Sequence, residues 1–199
     1  AQPVLPLDLD GIGVMQAYVL DLNRCFNLNW LATDTDKSQY KRLQRLLTHL
    51  QLSPDLADLI RDWVDSDQQV SGLGAEDSAY QLKTPPHFAA NQPMLDLSEL
   101  NMLIDVDPQE IQVLSREVCV VPDTGSKINV NTASAQTLYS LDAAVSIQNA
   151  EAIAQSVRNY QTVTEFVQNH PEFTGVQQQL AVRSHYFMLV AQALSLIHI

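Results

Sequence analysis

Phe26-Asn27-Leu28-Asn29 and Ile128-Asn129-Val130-Asn131 share one pattern, apolar-Asn-apolar-Asn, and each precedes a pair of helical stretches. In such a segment the alternating apolar side chains can enter a core while an asparagine side chain caps the helix that follows. Two readings are open. The echo is either coincidence between two N-cap segments, or the mark of two related helical subdomains, near residues 26–105 and 128–182.

The flanks of these segments differ from what lies between them. Residues 1–13 carry Pro3, Pro6, Gly11 and Gly13 and read as loop. Val14, Gln16, Tyr18 and Leu20 alternate with Met15, Ala17, Val19 and Asp21, which predicts a strand. Tyr186 to Ala191 is short and apolar and predicts another. Between them the period is helical. Leu43, Leu46, Leu47 and Leu50 form one stripe, and Leu56, Leu59, Ile60 and Trp63 a second behind the N-cap signal Ser53-Pro54-Asp55. Asp96 with Glu99 has the spacing of a capping box, and Asp107-Pro108 starts a further helix carrying Ile111 and Leu114. Residues 133–141, 150–160 and 164–169 complete the set, with a stripe running from Ile153 to Val157. The expected fold is mainly α with a small β part: helices inserted between pieces of a sheet.

The composition limits the function. The 199 residues carry 23 acids against 11 bases, a formal net charge of −12, so phosphate backbones are repelled. No apolar run approaches the roughly 18 residues of a membrane span. There is no signal peptide, and the first residue is Ala1 rather than Met, as in a mature form or a fragment. Leu194-Ser195-Leu196-Ile197-His198-Ile199 reads like the translation of a sequencing adapter, so residues 194–199 are set aside and His198 is no ligand candidate. No nucleophile elbow, zinc-protease motif or P-loop is present, and His49, His87, His170 and His185 sit in no nucleophile–base arrangement. Cys25 and Cys119 match no metal spacing and read either as two buried thiols or as one disulfide, which needs an oxidising compartment.

The acids crowd where the helical period fails. Residues 64–95 read as a long ordered loop, a feature usually functional or disordered. From Asp55 to Asp77 run Asp55, Asp58, Asp62, Asp65, Asp67, Glu76 and Asp77 against the single base Arg61. Gathering such carboxylates costs repulsion unless a cation is bound. With Asp65 at position 1 of a calcium loop, Asp67 falls at 3, Gln69 at 5 and Glu76 at 12. Val70 stands at position 6, where that loop needs glycine, so the match is not a standard EF-hand. Oxygen donors without nearby Cys or His favour calcium over zinc.

Asp62-Trp63-Val64-Asp65-Ser66-Asp67, Gly74-Ala75-Glu76-Asp77, Tyr80, Pro85-Pro86, Asn91 and Leu97-Ser98-Glu99-Leu100, in that order and between the two asparagine segments, closely resemble the minor pseudopilin K family of type II secretion systems. The resemblance covers about residues 14–193. It implies an α/β pseudopilin fold carrying a large inserted helical domain, with two subdomains resembling SAM and helix-hairpin-helix modules. The expected boundaries are 1–23 for the entering pseudopilin strand, 24–184 for the insertion and 185–193 for the returning strand. It further implies a non-enzymatic subunit that caps the periplasmic pseudopilus tip with minor pseudopilins I and J, supports export of folded proteins and meets secreted substrates. The implied location is the inner membrane of a Gram-negative cell, with this part in the periplasm and attached through an N-terminal helix outside these residues. Calcium is the implied cofactor, and the matching positions nominate Asp65, Asp67, Glu76, Asp77 and Asp62 as ligands. A periplasmic setting would oxidise Cys25 and Cys119 to a disulfide.

A helix-hairpin-helix nucleic-acid module is the rival reading, since Asn129-Val130-Asn131-Thr132-Ala133-Ser134 precedes two helices. Such modules bring hairpin N–H groups to a phosphate through a Gly-x-Gly turn. Here Leu141-Asp142-Ala143-Ala144-Val145-Ser146-Ile147 has no glycine, and Asp142 would repel the phosphate, so nucleic acid is not an expected partner.

Overall fold

Alternating side chains across Gly13–Asp21 make a nine-residue strand, β3, and Phe187–Ser195 makes its antiparallel partner, β8. Their register runs from Gly13 opposite Ser195 to Asp21 opposite Phe187. The computed structural model describes residues 2–3, 7–8 and 13–195. Two short strands, β1 (Gln2–Pro3) and β2 (Leu7–Asp8), pair with the other edge of β3. Residues 1–13 are therefore not all loop as expected, because β3 offers them a free edge. Leu194 and Ser195, expected to belong to an artificial tail, continue β8; residues 196–199 of that tail lie outside the described residues.

Between these strands lie helices joined by loops, and two small parallel ladders. In the first, β4 (Phe26–Asn27) pairs with β5 (Val118–Cys119); in the second, β6 (Ile128–Asn129) pairs with β7 (Leu180–Ala181). Each ladder closes a helical unit. The first unit holds α1 (Ser38–His49), α2 (Leu56–Val64), α3 (Asp77–Tyr80), a capped 3-10 turn at Leu97–Met102, and α4 (Pro108–Leu114). Because β5 belongs to it, this unit reaches past the expected limit of residue 105. The second unit holds α5 (Ala135–Leu141), α6 (Ile147–Gln155), α7 (Val163–Asn169) and a 3-10 stretch at Pro171–Gln179. Helix α6 starts at a Ser146 cap and ends at Gln155, earlier than the expected residue 160. Val157 consequently leaves the expected stripe and stands in solvent.

The leucine stripes pack as their period requires. Leu43, Leu46 and Leu47 of α1 and Leu56, Ile60 and Trp63 of α2 are buried with Phe26 and Leu28. The cluster continues without a break into Ile128, Val130, Leu138, Ala150, Phe166 and Phe173 of the second unit. Two arginines of α1 bolt the units together. Arg42 Nε donates to the Leu141 carbonyl at 2.8 Å, while Arg45 donates to the Tyr139 and Val145 carbonyls at 2.9 and 2.7 Å. The Arg45 guanidinium also stacks 3.8 Å from the centre of the Tyr139 ring. The Tyr139 and Leu141 carbonyls lie in the last turn of α5, where a cation is favoured by the helix dipole.

The repeated asparagines do equivalent work in both units. Asn29 Oδ1 accepts from the Met94 N–H at 2.7 Å, and its Nδ2 donates to the Met94 and Val121 carbonyls at 2.9 and 3.0 Å. Asn131 Oδ1 accepts from the Tyr160 N–H at 2.8 Å, and its Nδ2 donates to the Tyr160 and Val182 carbonyls at 3.0 Å each. Asn27 and Asn129 each accept from the N–H two residues ahead, at 3.2 and 3.0 Å. The echo in the sequence is thus a structural repeat. Cys25 and Cys119 meet at the first ladder with Cα atoms 5.6 Å apart, and the structure pairs them as a disulfide.

Two outcomes follow from these contacts. Asn29→Ala would orphan the buried N–H and carbonyl of Met94 and take one of two amide donors from the Val121 carbonyl, which keeps Asn27, so urea unfolding should show a loss of about 2–4 kcal/mol. A change under roughly 0.5 kcal/mol would mean the amide is replaceable by water. Protein recovered from an oxidising compartment should resist alkylation at Cys25 and Cys119 until it is reduced, as read by mass spectrometry. Two thiols labelled without reductant would exclude the bond.

Candidate metal centre

Helix α2 turns its apolar side to the core, which leaves Asp58, Asp62 and Asp65 along one flank at spacings of four and three residues. The loop after the helix folds back over that flank and caps it with backbone N–H groups. Ser71 N donates to both oxygens of Asp62, at 3.1 and 3.0 Å, and Leu73 N donates to Asp58 Oδ2 at 2.9 Å. The Tyr40 hydroxyl donates to Asp58 Oδ1 at 2.5 Å. Burial and this carboxylate push the Tyr40 phenol up to about 12. So close an approach of backbone to carboxylate needs glycine. A Cβ at Gly72 would run into the Asp58 carboxylate, and one at Gly74 into that of Asp62. Gly72 also takes a positive φ of 49°.

Folding the loop this way brings Asp65, Asp67 and Glu76 together, with one carboxylate oxygen from each lying within 4.8 Å of the others. Asp65 Oδ1 and both oxygens of Glu76 are buried and have no hydrogen-bond partner. Glu76 is only 2% exposed. The nearest base, Arg61, reaches only the other Asp65 oxygen, from Nε at 3.7 Å. Asp67 Oδ1 accepts from the Gln69 N–H at 2.7 Å, which turns the loop. A buried carboxylate without a donor is costly. Desolvation first, then repulsion from Asp62, Asp65, Asp67 and Asp77, pushes the Glu76 carboxyl up to about 7. Desolvation likewise raises Asp62 to about 6 and raises Asp65. Three orphaned oxygens, all carboxylate and without nitrogen or sulfur beside them, fit a hard divalent cation.

The five nominated acids divide. Asp65, Asp67 and Glu76 form the cluster. Asp62 lies fully buried beside it, with both oxygens already accepting from Ser71, and serves to anchor the loop. Asp77 faces another segment: its Oδ1 accepts from the Ala89 N–H at 2.9 Å and the Asn91 side-chain amide at 3.4 Å. Asp58 and Tyr40 were not foreseen as part of this wall. The signal for them was Gly72-Leu73-Gly74, two glycines a residue apart opposite two acids four apart.

The hairpin between α5 and α6 is committed elsewhere. Asp142 accepts from the Ala144 N–H with its side chain, at 2.8 Å, and from the Val145 N–H with its carbonyl, at 3.1 Å. Arg42 and Arg45 of α1 cover its carbonyls. Asp142 thus holds its carboxylate at the hairpin and takes up the N–H groups of Ala144 and Val145.

Two family models, both described as type II secretion system protein K, match residues 24–123 and 128–185. Each matched segment holds one asparagine repeat and its ladder. The chain belongs to the type II secretion system protein K family. The protein K of Aeromonas hydrophila is 37% identical over 145 residues, which is 65% of this chain and 43% of that protein. That of Pseudomonas aeruginosa is 30% identical over 204 residues, 96% of this chain and 60% of that protein. The chain thus spans less than two thirds of these protein K relatives. A chain in the crystal structure of the GspK-GspI-GspJ complex from enterotoxigenic Escherichia coli superposes with a TM-score of 0.80. It is 27% identical, and the match covers 98% of this chain and 74% of that one.

The raised carboxyls set a pH dependence for the metal-free chain. Their folded pKa values exceed their unfolded ones, so the folded state holds the extra protons and loses stability as those protons leave. In chelator, the melting temperature should fall as pH rises from about 4 to about 7. Glu76→Gln should remove most of that slope, because the amide cannot ionise. A slope unchanged by Glu76→Gln, read by calorimetry, would mean other groups govern it.

Proposed function

We propose that this chain is the periplasmic part of a minor pseudopilin that caps the pseudopilus tip of a type II secretion system, working by shape rather than by catalysis. The observation that carries this reading is the 0.80 TM-score across 98% of the chain with a member of the GspK-GspI-GspJ complex. Minor pseudopilins I and J of the same system are its partners in this reading, and secreted folded proteins meet the assembled tip. The sheet of β3 and β8 belongs to the pseudopilin body, which an N-terminal helix would anchor in the inner membrane. The helical units form a bulky head between the two strands, which would keep further subunits from adding beyond it.

Calcium is the cation we assign to Asp65, Asp67 and Glu76. What supports it is the oxygen-only donor set and the three buried oxygens without partners. Bound there, the ion would neutralise a cluster that otherwise repels itself and would hold the loop from Asp65 to Glu76 in one shape. Magnesium should substitute poorly, since it keeps its waters and demands a small octahedral shell.

One set of measurements tests both statements. Co-expressed with its sister pseudopilins I and J, the chain should elute with them as one complex on size exclusion. Adding calcium to chelator-stripped protein should raise the melting temperature in a dose-dependent way, and Asp65→Ala or Glu76→Ala should abolish most of that rise. Separate elution would overturn the tip assignment. A melting temperature indifferent to calcium would overturn the metal.

A further inference from the structure

Five of the eleven bases of this acidic chain are engaged: Arg42, Arg45 and Arg158 donate to backbone carbonyls, and Arg61 and Lys83 pair with carboxylates. Of the other six, Lys127 and Arg183 stand together. Neither side chain has a hydrogen bond or ion pair among the described residues, yet both line one cleft of ≈ 400 Å³ together with His185.

The cleft sits where the sheet meets both helical units. Its walls come from Asn23 after β3, from residues 123–127 between the units, and from residues 181–186 leading into β8. A buried side chain fixes their spacing. Asn23 is 3% exposed; its Nδ2 donates to the Lys127 carbonyl at 2.8 Å, and its Oδ1 accepts from the His185 and Tyr186 N–H groups at 2.9 and 3.0 Å. Ser184 is tied to Asp21 Oδ2 at 2.6 Å. The backbone under Lys127, Arg183 and His185 is therefore held in place before any ligand arrives. The acid in the cleft, Asp123, is already engaged: Oδ1 accepts from the Gly125 N–H at 2.8 Å and Oδ2 from the Tyr186 hydroxyl at 3.3 Å. Both cationic side chains thus keep their donors for an incoming group.

We infer that this cleft is a docking site for an acidic peptide segment, whose carboxylates are received by Lys127 and Arg183. A planar guanidinium and an ammonium on either side suit carboxylates on an extended chain. The cleft is larger than one small oxyanion needs, and Ala181 and Tyr186 give its wall an apolar part. A peptide can lay an apolar residue there while its carboxylates enter the cleft, and a free anion cannot. The site shares no residue with the carboxylate cluster of the preceding sections, so its fate is separate from that of the metal.

The test is a titration of the 199-residue chain with a hexaglutamate peptide, followed by amide NMR shifts. A hexaglutamine peptide and inorganic phosphate serve as the comparison probes. Hexaglutamate should shift the amides of Gly125, Ser126, Lys127, Arg183 and Tyr186, and the shifts should weaken with added salt. The double variant Lys127→Gln, Arg183→Gln should lower its affinity roughly tenfold, the loss of two partly exposed charge pairs. A matched control, Lys41→Gln with Arg116→Gln, should leave it unchanged. Equal weakening by both variant pairs, or shifts spread over the whole surface, would overturn the site. Phosphate binding as tightly as hexaglutamate at the same amides would overturn the peptide assignment and leave a free-anion site.

Discussion

A primary amide that bonds the backbone of two distant segments at once is the interaction on which this architecture rests. Asn29 joins Phe26–Asn27 to Met94 and Val121, and Asn131 joins Ile128–Asn129 to Tyr160 and Val182. Two-residue ladders are far too short to hold themselves together. The amides extend them, since each carries a donor and an acceptor that match what a neighbouring strand would offer. Asn29 is sealed in the core, where an unmade bond is expensive, while Asn131 is half-buried. The helices of each unit then need only bury their stripes against a frame whose ends are already joined.

The acidic loop follows the same economy with carboxylates in place of amides. Asp58 and Asp62 collect the N–H groups of Ser71 and Leu73, which draws the loop across α2 and leaves Asp65, Asp67 and Glu76 facing one another. Two of the acids organise the backbone, and among the other three one Asp65 oxygen and both Glu76 oxygens are left without a partner. That division of labour lets one acid-rich stretch be a structural clasp and still offer carboxylates to the cation we propose.

How much of this could be read from the residues depended on whether a feature has a period. The leucine stripes, the Asp96–Glu99 capping box and the two long strands announce themselves at 3.6, three and two residues. The paired ladders and the 3-10 stretches at Leu28–Thr33 and Pro171–Gln179 have no such period, because they exist only through contacts with remote chain. The acids show the limit most clearly. Asp62 and Asp65 look alike in a list of carboxylates, and only the two glycines that face α2 distinguish an anchor from a ligand. Asp77 directly follows Glu76 in sequence but departs from it in direction, since α3 begins there and turns its side chain toward Ala89.

The position of the cysteine pair has a mechanical consequence. In the role proposed above, load would enter the helical head through β3 and β8. Tension entering at Asp21 would reach Cys25 and, with the bond to Cys119 in place, pass straight across it. The 94-residue separation between the two cysteines would then lie outside the load path, and with it α1, α2 and the carboxylate cluster. The second unit has no such shunt among the described residues and would carry the strain between Ile128 and Ala181. The head would thus behave as a slack, protected unit hung beside a taut one, which could stretch while the loop from Asp65 to Glu76 kept its shape.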